Sequence, residues 1–280
     1  MKIAVTGASG FIGRHVLAEL KLRSVESIAL VRSSVSRSPV DSGDRVIFLD
    51  LHQAPSDAFE LMGRPDVLIH LAWSGLPNYR SLHHFEQELP AQYQFLRGLI
   101  DAGLQSLVVA GTCFEYGMQS GALNEDMAPQ PSNPYGYAKD ALRCQLEYLK
   151  SIHPFRMTWA RLFYLYGEGQ AEGSLWPQLR QAAERGDAHF NMSGGEQLRD
   201  YLPVTEVASH LVSLALANKD VGLVNVCSGN PISVRKLVEG WIEQNGWSIA
   251  PNLGYYPYPN YEPLAFWGDR SKLDGLLSPK

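Results

Sequence analysis

The chain has 280 residues, 45% of them hydrophobic and 19% charged, with a net charge of −5. That balance is ordinary for a globular protein and leaves no basic surplus for nucleic acid or an anionic membrane. The length suits about two domains, or one large α/β unit with an appendage. Three cysteines, Cys113, Cys144 and Cys227, form no CxxC and no paired framework, which fits a reducing compartment. No run of about 18 apolar residues occurs, and the chain opens directly on a strand-like MKIAVTG. Neither a membrane span nor a signal peptide is expected, and the expected location is cytoplasmic.

The elements come in regular alternation. Residues 2–6 form a short β-branched-rich run that stops at glycines, as a buried strand does. Residues 11–22 carry apolar side chains at helical spacing. Strands are predicted at 27–31, 45–51 and 66–72, with a polar loop at 33–44. A long helix is predicted at 86–103, closed by a glycine, then a strand at 106–110. A helix at 135–150 starts just after Pro134, and a strand follows at 156–163.

These strands are apolar throughout, as parallel strands covered on both faces are. Right-handed crossovers then make an α/β doubly wound parallel sheet of the Rossmann type. Beyond Gly167 glycine, proline and aromatic residues become frequent, and 251–263 (PNLGYYPYPNYEP) has the texture of a long ordered loop. The expected division is a dinucleotide-binding domain at 1–166, rejoined by 201–226, and a small C-terminal substrate-binding cap from 167–200 and 227–280.

Thr6-Gly7-Ala8-Ser9-Gly10-Phe11-Ile12-Gly13 links the first strand to the first helix. Glycines there permit a tight turn and close approach of a pyrophosphate to free N–H groups at the helix start. The spacing is GxxGxxG, not GxGxxG. With the later motifs it resembles the extended short-chain dehydrogenase/reductase superfamily, in its epimerase/dehydratase branch, over nearly the whole chain. The resemblance implies a nicotinamide dinucleotide held by Gly7, Gly10, Phe11, Ile12 and Gly13. It places Asp50 and Leu51 at the adenine, and Leu71 and Ala72, with Trp73 next to them, beside the middle of the cofactor. The second strand ends Val31-Arg32-Ser33-Ser34, without the acidic residue that holds the ribose of NAD. Arg32, helped by Ser33 or Arg37, suits a 2′-phosphate, so NADP(H) is expected over NAD(H).

Tyr135 and Lys139 form a YxxxK, and i and i+4 share one helix face. A cation near a phenol lowers its pKa and makes it a proton donor and acceptor near neutrality. Tyr137 is two residues from Lys139 and lies on another face. Asn133-Pro134-Tyr135-Gly136 resembles the family's PYxxSK segment, and Gly111-Thr112-Cys113-Phe114-Glu115-Tyr116-Gly117 resembles its SSxxVYG. The resemblance therefore implies a catalytic Thr112, Tyr135 and Lys139, with Thr112 and Tyr135 both touching substrate. The acidic pair of the 4,6-dehydratases is replaced by Cys113 and Phe114, which offer neither proton donor nor base. Cys113 is read as a packed thiol.

The expected activity is NADPH-dependent reduction of a nucleotide-linked 4-keto-6-deoxy sugar, dTDP-linked above all. Two alternatives stand beside it: a nucleotide-sugar 4-epimerase with bound NAD, and a non-catalytic NADP-binding sensor. A reductase of small non-nucleotide carbonyls is a further rival. Gln197-Leu198-Arg199-Asp200-Tyr201 resembles the family's QxRDF, which implies Arg199 as a clamp on the diphosphate and Asp200 as a loop brace. Arg270 is a second phosphate candidate, and Phe190 and Asn191 are candidates for the base. Tyr164 stands where the family's RxFNxYG has an asparagine at the cofactor and substrate. His83 and His84 lack ligand spacing, so no metal is expected, and His70 is expected to be a satisfied core histidine. Relatives pair two helices in a four-helix bundle, and the segments 86–103 and 137–150 imply a homodimer.

Overall fold

In the computed structural model, which describes residues 1–32, 45–258 and 262–278, the apolar runs become strands of one sheet. Its strands are β1 (Lys2–Thr6), β2 (Glu26–Val31), β3 (Arg45–Phe48), β4 (Val67–His70), β5 (Ser106–Thr112), β6 (Arg156–Leu162) and β7 (Gly222–Val226). They lie in the order β7-β6-β5-β4-β1-β2-β3, and every pair is parallel. The helices are α1 (Phe11–Leu22), α2 (Ala58–Leu61), α3 (Leu89–Asp101), α4 (Pro134–Ile152), α5 (Leu175–Glu184), α6 (Val204–Ala217), α7 (Val234–Asn245) and α8 (Ser271–Leu277).

Strand periodicity builds two cores from one sheet. Ile3, Val5, Val67, Ile69, Val108 and Ala160 face α1, α6 and α8. Ala4, Leu68, Leu107, Val109 and Trp159 face α2, α3 and α4. A third, smaller core gathers Leu179 of α5, Phe190, Val238 and Trp241 of α7, and Ile249. Its neighbours Tyr166 and Trp176 each lie 5.0 Å from Trp241 between ring centroids, and Trp247 packs against Trp176 at 5.6 Å. Leu273 of α8 is buried in the first core.

Local departures from the predicted elements have local causes. β3 stops at Phe48, earlier than expected, because Asp50 accepts a bond from the His52 N–H at 3.1 Å and opens a single 3-10 turn at Leu51–Gln53. The long helix at 86–103 begins as one π turn, His84–Glu88, before α3. Pro90, with no N–H, sits in the first turn of α3, where a helix tolerates it. The chain diverges to opposite faces after β1 and β4, so a crevice opens at the carboxyl ends of those neighbouring strands. Among the described residues no helix is long and apolar enough to cross a membrane.

Candidate active site

The glycine turn is shaped by close backbone approach. Gly7 has φ +65°, and a Cβ there would lie 2.9 Å from the Ala72 nitrogen. At Gly13 a Cβ would meet the Gly7 carbonyl oxygen at 2.1 Å, so only glycine lets α1 pack onto the turn. Thr6 ties the two strands together: its Oγ1 accepts from the Leu71 and Ala72 N–H groups at 3.1 and 3.2 Å. Gly10 caps α1 without a side-chain acceptor, and a Cβ on it would meet nothing but the Gly7 oxygen within 4 Å. That open helix start fits a pyrophosphate.

A cleft of about 270 Å³ runs from the turn across the sheet edge. Gly7, Gly10, Arg32, Asp50, Leu51, Ala72 and Trp73 line it, with Ser74, Glu88 and His52 at its far wall. Arg32 is exposed at its rim. Ser33 and Arg37 lie outside the described residues. Leu71 and Ile12 are turned to the first core, Gly13 packs under the turn, and Phe11 rests against His15; these four do not line the cleft.

Thr112 ends β5, and Tyr135 and Lys139 lie on the first turns of α4. Asn133 starts that helix by accepting from the Gly136 N–H at 2.8 Å, and Pro134 follows at its first position. Thr112 Oγ1 accepts from the Phe114 N–H at 3.3 Å, and the Thr112 side chain lies close enough to Tyr135 to work against the rise of the phenol's pKa. Lys139, 2% exposed, donates to the Ala110 carbonyl at 2.8 Å, and its Nζ stands 4.1 Å from the Trp73 ring centroid and 6.0 Å from that of Tyr135. The expectation for such a pair is an ammonium that lowers the phenol's pKa. Here burial pushes the Tyr135 phenol up, Tyr79 adding to the effect, and burial pulls the Lys139 ammonium down to about 7. The dry site penalises both charges more than they relieve each other at this separation.

Behind Thr112 lies a buried ion pair. The Thr112 N–H donates to Glu115 Oε1 at 2.8 Å, completing a capping box. Arg161 Nε donates to Glu115 Oε2 at 2.6 Å, and Trp159 Nε1 to both oxygens at 3.0 and 3.1 Å. The Thr112-x-x-Glu115 spacing is a legible sequence signal for this box.

Residues 3–227 match the NAD dependent epimerase/dehydratase family. The chain belongs to that family. Its curated relatives include dTDP-6-deoxy-L-talose 4-dehydrogenase (NAD(+)) of Aggregatibacter actinomycetemcomitans, 30% identical over 270 residues, 96% of this chain and 99% of that protein. The dTDP-4-dehydro-6-deoxyglucose reductase of Escherichia coli is 24% identical over 85% of this chain and 79% of its own. Among solved structures, MoeE5 in complex with UDP-glucuronic acid and NAD is 27% identical, with a TM-score of 0.83 over 99% of this chain and 92% of that one.

The substrate side departs from the sequence expectation in where its arginine points. Arg199, expected as a free phosphate clamp, is 2% exposed and engaged: Nη2 donates to Glu262 at 2.8 Å, and Nη1 to the Leu198 and Leu264 carbonyls at 2.8 and 3.2 Å. Tyr164 does not line the cofactor cleft; its hydroxyl donates to the other oxygen of Glu262 at 2.5 Å. The two meet because a carboxylate satisfies a guanidinium and a phenol that burial would otherwise leave unpaired. Asp200 braces its loop by accepting from the Ser228 and Gly229 N–H groups at 2.7 and 2.9 Å. Arg270 donates to Asp274 and to the Cys227 carbonyl beside a separate surface hollow. Phe190 is buried in the third core, and Asn191 is exposed and accepts from Asn252 at 2.7 Å, so neither reaches the cleft. Cys113 is buried as expected, and burial pushes its thiol up.

Sequence reasoning missed Glu88. Burial pushes its carboxyl up, but bonds from the Ser74 hydroxyl, Gln92 and the Ser74 N–H, with His52 alongside, hold it at about 2. His70 meets half of the expectation. Its Nδ1 pairs with Thr6 Oγ1 at 2.9 Å, while Nε2 has no hydrogen-bond partner among the described residues. Burial, with the Lys139 charge adding, lowers its pKa from 6.5 to about 3. An unfolded histidine takes up a proton below about 6.5 that the folded one refuses. Stability is therefore expected to fall by up to about 1.4 kcal/mol per pH unit between about pH 6 and 3. Denaturant melts of His70→Gln against the parent should show a shallower slope in that window.

Proposed function

We propose that this chain transfers hydride between a nicotinamide cofactor and C4 of a nucleotide-linked 6-deoxy sugar, reducing the 4-ketone with NADPH; dTDP is the favoured nucleotide. The observation that carries this reading is the meeting of Thr112, Tyr135 and Lys139 at the carboxyl edge of the sheet, beside the glycine-turn cleft. The 30% identity to a dTDP-6-deoxy-L-talose 4-dehydrogenase, across nearly the full length of both chains, supports C4 of a dTDP-linked sugar as the reacting position.

A bound nicotinamide supplies or accepts the hydride. The Thr112 hydroxyl and the Tyr135 phenol take the ketone oxygen between them. Tyr135 delivers its proton as negative charge develops there, and Lys139 keeps positive potential beside that oxygen. The third core and the 251–258 strap form the cap over the sugar nucleotide. Arg199 and Arg270 are its diphosphate candidates, Arg199 once Glu262 yields. Two copies pair through α3 and α4, whose exposed Tyr137, Tyr148 and Ile152 lie on the outer face of α4.

The cofactor choice rests on Arg32 at the rim of the cleft, with no carboxylate ending β2. A second reading, NAD(H), is favoured by the NAD(+) in the name of the 30% identical relative. Arg32→Asp should shift the kcat/KM ratio from NADPH toward NADH by at least tenfold; an unmoved ratio assigns no phosphate contact to Arg32. The activity itself is tested by NADPH or NADH oxidation against 4-keto-6-deoxy sugars linked to dTDP, GDP, UDP and CDP. Turnover of the dTDP compound is expected, and turnover of none overturns the reading.

A further inference from the structure

Trp73 and His84 border the reacting groups, and neither has a part in the proton transfer described above. Trp73 follows β4 and lines the cleft; its ring lies under the Lys139 ammonium at 4.1 Å and meets Tyr135 edge-on at 6.0 Å. Its indole N–H donates to His84 Nδ1 at 3.1 Å. His84 Nε2 lies 2.8 Å from the Asn78 carbonyl, so the proton of a neutral ring sits on Nε2 and Nδ1 is left as an acceptor. The His84 ring is also 5.3 Å from that of Tyr135. One imidazole thereby fixes the edge of the indole, and the indole offers its electron-rich face to a buried ammonium.

We propose that Trp73 and His84 are positioning residues for the Lys139 ammonium: the indole face holds the charge beside Tyr135, and neutral His84 holds the indole. The inference rests on the proposed role of Lys139 but concerns a property the cofactor-free chain already has. An ammonium within about 6 Å of a tryptophan face is attracted most strongly when desolvated, as this one is. Burial lowers the Lys139 pKa, so any group favouring its charged form decides how much ammonium exists near neutrality. The charged and titratable groups facing the pair are His83, Glu88, Tyr79 and Tyr135 around the rings, with His70 and Glu115 facing Lys139. Burial also lowers the His84 pKa, which keeps Nδ1 free to accept. A protonated His84 would turn an N–H toward the indole N–H and release it.

The test is a pH titration of lysine side chains by heteronuclear NMR on the cofactor-free protein, with the Lys139 signal assigned by its loss in Lys139→Met. Trp73→Leu should lower the Lys139 midpoint by ~1 pH unit, the order expected for a desolvated cation–π contact. Trp73→Phe should lower it by less. His84→Leu should lower it, and His84→Gln, which can accept from the indole, should restore it. An unchanged midpoint in Trp73→Leu overturns the proposal. Should that variant fail to fold, the parent chain decides. The Trp73 indole N–H resonance must shift with the midpoint of Lys139, and an indole silent through that midpoint overturns it equally. Tyr135→Phe activity tests the enzymatic reading separately, since it leaves Trp73 and Lys139 in place.

Discussion

Tyr135→Phe is expected to lower kcat for the 4-ketone by about 10²- to 10⁴-fold, the range for removing a positioned general acid. The substitution deletes one oxygen from a side chain that is 8% exposed and wedged among Trp73, Tyr79, His84 and Phe114. A phenylalanine keeps those ring contacts, so the fold should hold. The cofactor dissociation constant should stay within about twofold, because the glycine turn and Arg32 are untouched. The loss should fall on kcat, since the proton reaches the oxygen only as hydride arrives. A variant within threefold of the parent rate would remove Tyr135 from the chemistry and with it the oxidoreductase reading. Burial pushes the phenol up in the structure, so Tyr135 is poised as a proton donor. In the reductive direction the rate should accordingly be insensitive to phenol ionisation throughout the neutral range.

Periodicity and glycine placement carried much of the fold. Ile3, Val5, Val67 and Ile69 are apolar because helices cover both sheet faces, and that requirement is local enough to appear in each short run. Gly7 and Gly13 are likewise legible, since no other residue fits the approach of the Ala72 backbone at Gly7 or of α1 to the turn at Gly13. Tyr135 and Lys139 could be paired because i and i+4 share one helix face, whereas Thr112 is implied by the resemblance of 111–117 to the family's SSxxVYG. The substrate side was not legible in that way. Arg199 and Glu262 are 63 residues apart, and nothing local announces that a carboxylate from the tyrosine-rich strap will fill the guanidinium fork. The same holds for Glu88, which gathers Ser74, Gln92 and His52 from three segments. Pairings between distant polar groups have no period, and only the folded chain brings them together.

Arg161→Leu is expected to cost about 3–5 kcal/mol, because it strands a buried carboxylate without its partner. Glu115 and Arg161 are fully buried, and their 2.6 Å contact is supported by Trp159 and the Thr112 N–H. For a protein of this size that loss should lower Tm by roughly 6–20 °C in a thermal melt. Glu115→Leu should also be damaging for the converse reason: the Arg161 guanidinium, 4.3 Å over the Tyr116 ring, would keep only the longer 3.9 Å contact with Asp140. Combining Glu115→Leu with Arg161→Leu should recover much of the stability, since an apolar pair of similar volume avoids the desolvation cost of both ions. Activity should not return with it. The double variant still lacks the carboxylate that holds the Thr112 N–H and completes the capping box, so the backbone that carries the Thr112 hydroxyl loses a hold beside Tyr135. A stable double variant with parental kcat would show that the ion pair serves the fold alone. A stable double variant with kcat reduced tenfold or more would tie the buried charges to the orientation of the catalytic hydroxyl.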